Sequence, residues 1–119
     1  MKFASAIVAM FFAAPGIAAA KTPSESTHGA IVAVMQKQMP GQAVLIVGPM
    51  AQEGVYIVTR WDTGDANGKG EALAKYDGSK WVVVRSAGSV ESQGFLESLG
   101  VPAQTAKALR ADMKKLTTP

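Results

Sequence analysis

The chain has 119 residues, with 12 Lys and Arg against 9 Asp and Glu, a formal charge of +3 and no cysteine. That length holds one small domain. The missing cysteine excludes disulfides, thiol nucleophiles, thiolate metal ligands and a lipid-modified cysteine, and the scattered basic residues, of which only Lys114 and Lys115 adjoin, lack the clustered face of a nucleic-acid binder.

Met1 and Lys2 precede an apolar run over residues 3–12, then AAPGIAAA over 13–20. A basic start, a short apolar core and small residues at its end form the layout of a cleaved secretory signal. The core is shorter than the roughly 20 apolar residues a membrane span needs. Residues 1–20 are therefore expected to be removed after Ala20, placing the protein in the periplasm with no membrane span left. Loss of Lys2 takes the charge excess from +3 to +2. Residues 21–27 (KTPSEST) read as a flexible leader, and residues 28–116 as a single α+β domain.

Ser24, Ser26 and Thr27 are N-cap candidates for a first helix over about 27–39, where Ile31, Val34 and Met35 recur at helical spacing before Pro40-Gly41. Residues 42–48 (QAVLIVG) are a short β-branched run bounded by Pro40-Gly41 and Gly48-Pro49, which predicts a buried strand. A turn at 51–54 leads to a second strand at 55–61. Val55, Ile57, Thr59 and Trp61 share one face of it, and Tyr56, Val58 and Arg60 the other. Residues 62–69 (DTGDANGK) form a loop. Residues 71–76 would suit a helix by propensity, but Asp77-Gly78 and the β-rich run at 80–85 (KWVVVR) make them one arm of a hairpin. Short turns require antiparallel pairing, so the four strands form a meander.

Ser89 is expected to cap a helix over 90–99, with Gly94 inside it and Gly100 at its exit. Pro102 opens the last helix, about 102–116, which repeats Ala106, Leu109, Met113 and Leu116. The fold class is therefore α+β: an N-terminal helix, a four-stranded antiparallel meander and two C-terminal helices packed on one face. Two layers would leave the other sheet face partly open to a partner.

The side chains offer little catalytic chemistry. His28 is the sole histidine, no G-x-S-x-G elbow is present, and Asp62 and Asp65 sit where a Gly-rich turn expects them. A calcium loop starting at Asp65 would put Lys69 at an oxygen-ligand position and Tyr76 where the bidentate Glu belongs. The sequence thus predicts a non-enzymatic protein. Thioethers select Cu(I), and Met35 and Met39, four apart on one helix, are the candidate metal ligands. At about 1.5 Å rise per residue, His28 stands roughly 10 Å from Met35 along the axis, too far to share one ion. Methionines at this spacing also fill cores. Trp61 and Tyr56 are the candidate partner-binding residues, with core-edge packing as the alternative role for Trp61 and Trp81.

Four short motifs point further: WDTG at 61–64, GEAL at 70–73, GSKW at 78–81 and GVP at 100–102, with Ser86–Gly88 between the last two. In order and spacing this resembles a family of small exported bacterial proteins described as copper-uptake-system-associated. The likeness runs from about Ile31 to Met113. Arg85 stands where that family often has Cys, and the chain stops at Pro119 where the family often carries a Met-ending tail. The resemblance implies a periplasmic accessory role in copper uptake or handling. The alternative is a periplasmic protein-binding module of inhibitor or immunity type, using the open sheet face.

Overall fold

The computed structural model describes residues 20–65, 68–86 and 92–118. The elements follow the order α1 (Glu25–Gln38), β1 (Ile46–Glu53), β2 (Tyr56–Asp62), β3 (Lys69–Tyr76), β4 (Trp81–Arg85), α2 (Gln93–Ser98) and α3 (Ala103–Thr117). The sheet has the order β1-β2-β3-β4, each pair antiparallel. This is the α+β meander with flanking helices that the sequence predicts. No helix among the described residues is long and apolar enough to cross a membrane. Of the expected signal segment, residues 1–19 lie outside the described residues.

Ser24 caps α1, its hydroxyl accepting from the Thr27 backbone N–H at 3.2 Å. Ser92, three residues beyond the expected Ser89, caps α2 and accepts from the Phe95 N–H at 3.0 Å. Ser89 and Val90 lie outside the described residues. The third strand is a strand despite its helical propensity. Its register with β4 sets Tyr76 opposite Trp81 and Lys75 opposite Val82. The turn between them spans four residues. Asp77 Oδ1 accepts from the Ser79 and Lys80 N–H groups at 2.9 Å each, and these bonds hold its pKa below the usual value.

Two expectations need correction. The first strand begins four residues later than predicted and runs through Gly48-Pro49 instead of ending there. Between Val47, opposite Trp61, and Met50, opposite Thr59, β1 carries one extra residue, a bulge. Gly48 has φ of 120°, which favours glycine, and Pro49 is tolerated because β1 is an edge strand.

The second correction concerns layers. α1 does not share a face with α2 and α3. On one side of the sheet Ala51, Val58 and Leu73 pack with Leu96, Val101, Ala106, Leu109 and Met113 of the C-terminal half. On the other, Ile57, Ala72 and Ala74 pack with Ile31 and Met35 of α1. Neighbours along one strand, Ile57 and Val58, are both fully buried, as they must be when each face is covered. The domain therefore has three layers, and the face expected to be open is covered by α1.

Candidate functional site

The ends of β1, β2 and β3 and the last turn of α3 meet at one edge of the domain. There Ile46, Gly48 and Pro49 of β1, Arg60, Trp61 and Asp62 of β2, Lys69 of β3, and Leu116 and Thr117 of α3 line a cleft of about 240 Å³. A second cleft of about 310 Å³ adjoins it, sharing Arg60, Lys69 and Thr117 and adding Gly70, Glu71 and Arg110. Alternation along the strands explains the composition. Arg60 and Glu71 are directly opposed in the β2–β3 register, so both point to the α3 side. Arg110 reaches across from α3 and donates to Glu71 at 2.8 Å. Lys69 stands 4.0 Å from Asp62. Arg60, exposed, forms no ion pair among the described residues. Three cations thus face two carboxylates, and the rim carries Ile46, whose 58% exposure is the highest of any large apolar residue described.

The residues singled out from the sequence distribute unevenly around this cleft. Trp61 contributes to its wall, while its indole packs on the α1 side and donates from Nε1 to the Ser86 carbonyl at 3.1 Å. Tyr56 lies at the opposite end of β2 and on the opposite face. Its hydroxyl donates to the Gly100 carbonyl at 3.4 Å, and Lys75 Nζ sits 5.6 Å from its ring centre. The structure does not bring Trp61 and Tyr56 together. Met35 is buried between α1 and the sheet, and Met39 is half-buried beside it in the same layer, which also holds Met50 and Trp61. Met113 belongs to the other layer. His28 is exposed and shares a separate cleft of about 520 Å³ with Thr22, Pro23, Glu25, Pro49 and Met50. Among the described residues no group of three or more His, Cys, Asp or Glu is placed to hold a metal ion.

One arrangement has no signal in the sequence. Asp112, on the sheet-facing side of α3, is only 8% exposed, and its Oδ2 has no hydrogen-bond partner. Burial raises its carboxyl to about 6, and the neighbouring Glu53 carboxyl raises it too. The backbone N–H of Lys21 and the charge of Lys115 act in the opposite direction. Glu53 in turn accepts from Lys21 Nζ at 3.2 Å. These residues lie far apart in the chain, so no local spacing announces them.

Compared with protein-family models, with curated proteins and with solved structures, the chain matches none.

Proposed function

We propose that the protein is a non-enzymatic periplasmic accessory protein that acts by binding a protein partner at the cleft between Ile46, Arg60, Lys69 and the end of α3. The observation that carries this is the pairing of an exposed apolar rim, Ile46, with an excess of cations, Arg60 foremost, in a concave site at a sheet edge. The complementary partner presents an acidic segment with an apolar anchor. Export is supported by the basic start, short apolar core and Ala-rich end of residues 1–20. A setting in copper uptake or handling is supported by the resemblance carried by WDTG, GEAL, GSKW and GVP. With α1 covering the second sheet face, the partner site of an inhibitor or immunity-type module would likewise be this cleft.

The experiment is photo-crosslinking in the periplasm from a reactive residue at position 46. A discrete adduct is expected in the wild-type background, lost in Arg60→Glu/Lys69→Glu while Tm stays within a few degrees. An adduct of equal yield in the double variant would show that the Arg60 and Lys69 charges do not hold the partner, and no discrete adduct in the wild-type background would place the partner elsewhere.

A further inference from the structure

Lys21 is held at three points. Its carbonyl accepts from the Gln52 N–H at 2.9 Å, which docks it on the outer edge of β1. Its Nζ pairs with Glu53 Oε1 at 3.2 Å. Its backbone N–H lies against the Asp112 carboxylate. An amide offers that carboxylate one proton, and Asp112 Oδ2 remains buried without a partner. A buried carboxylate left half-satisfied is costly, and native structures seldom keep one without a reason. The group that would complete it is already in place: the same nitrogen, released from Ala20, carries three protons and a positive charge.

We propose that Asp112 and Glu53 form a receptor for the chain's own new amino terminus, the α-ammonium of Lys21 taking Asp112 and its side chain keeping Glu53. The inference rests on cleavage after Ala20, expected from residues 1–20. Processing then replaces an amide–carboxylate contact by a buried ion pair and fastens the leader to both α3 and β1. The charged groups facing the site are Glu53 from β1, Lys115 from α3 and the Lys21 side chain. Before cleavage the two carboxylates repel, the Lys21 and Lys115 side chains balance them in charge, and Asp112 Oδ2 still lacks a donor. After cleavage the α-ammonium supplies that donor.

Mass spectrometry of the exported protein first establishes whether it begins at Lys21; another start overturns the processing step alone. The receptor is tested separately on a chain released from a fusion with Lys21 as its first residue. It is compared with the same chain bearing Asp112→Asn and with one carrying a single Gly before Lys21. The readout is the acetylation rate of the α-amine at pH 7, located by peptide mass spectrometry, with the lysine side chains as internal reference. A free α-amine has a pKa of about 8, and pairing that raises it by one unit lowers its reactive fraction about tenfold. The Lys21-first chain is expected to react about tenfold more slowly at its α-amine than the Asp112→Asn chain, and to melt several degrees above the Gly-extended chain. Equal α-amine rates, or equal Tm for the Lys21-first and Gly-extended chains, would overturn the receptor. The Gly-extended comparison stands even if Asp112→Asn fails to fold.

Discussion

Arg110 of α3 donates to Glu71 of β3 at 2.8 Å, with the Glu71 side chain 8% and the Arg110 side chain 21% exposed. This pair ties the last helix to the third strand across the cleft. Its carboxylate is nearly dry, so removing one partner leaves an uncompensated buried charge. Arg110→Ala is expected to cost about 3 kcal/mol, whereas Glu71→Leu/Arg110→Leu should lose much less because both charges leave together. Urea denaturation of the two single variants and the double variant measures the coupling. Additive losses would show that the pair is screened.

Gly29 lies within α1, and a Cβ added there meets nothing within 4 Å. Glycine costs a helix interior about 1 kcal/mol relative to alanine. Gly29→Ala is therefore expected to stabilise the domain, by roughly 4–8 °C in Tm for a chain of this size. A fall in Tm would mean that α1 moves when the side chain is added.

Trp81 is half-buried, its ring 5.3 Å from that of Tyr76 at the turn end of the last hairpin. Full burial would put Trp81→Ala at about 3–5 kcal/mol. With part of the indole already in water the expected loss is about 2 kcal/mol, since only the area removed from water counts. Chemical denaturation checks it. A loss near zero would make the Tyr76–Trp81 pair a surface contact and not a support for the sheet.

The strand pattern and the meander were legible because they are local: Asp77-Gly78 and the β-branched run around Val82–Val84 suffice to pair β3 with β4. The three-layer arrangement was legible in principle. Residues 72–74 (ALA) are apolar without alternation, and a strand apolar on both sides needs cover on both. A meander with helices at both chain ends does not say which face each helix takes. β1 was misplaced because Gly48-Pro49 reads as a terminator, while at a sheet edge it makes a bulge. The cleft joins Ile46, Arg60, Lys69 and Arg110 through register and helix packing, which no local pattern encodes. The same holds for Lys21, Glu53 and Asp112.

In a chain that still carries residues before Lys21, Asp112 titrates near 6, above its value of 3.8 in an unfolded chain. A raised acid binds its proton more tightly when folded. Its contribution is therefore fully present below about pH 4 and is lost as pH rises through about 6, a loss on the order of 3 kcal/mol. Stability measured at pH 5 and pH 7.5 for this chain and its Asp112→Asn variant isolates the effect from the other carboxylates. The difference between the two chains should shift in favour of Asp112→Asn as pH rises. A pH-independent difference would mean that the Asp112 carboxyl titrates normally.

The last prediction concerns copper. Met35 is 1% exposed and packs with Ile31 and Ile57, while Met39 is half-buried at the end of α1. For Met35 to offer its sulfur to Cu(I), the layer between α1 and the sheet must open, and two thioethers without a third ligand make an incomplete site. Cu(I) is accordingly expected to bind more weakly than about 1 μM, with whatever binding occurs depending on Met35 and Met39. A competition titration against a chromogenic chelator, on wild type and on Met35→Leu/Met39→Leu, measures this. Leucine keeps nearly the same volume, so the double variant should lose less than about 1.5 kcal/mol per site and remain folded. Tight binding that survives in the double variant would move the site to His28 and Met50, which line one cleft and are the next soft or borderline ligands along that face. Weak binding in both proteins would leave the copper link to rest on the sequence resemblance alone and would favour the protein-partner reading tested by the crosslink from position 46.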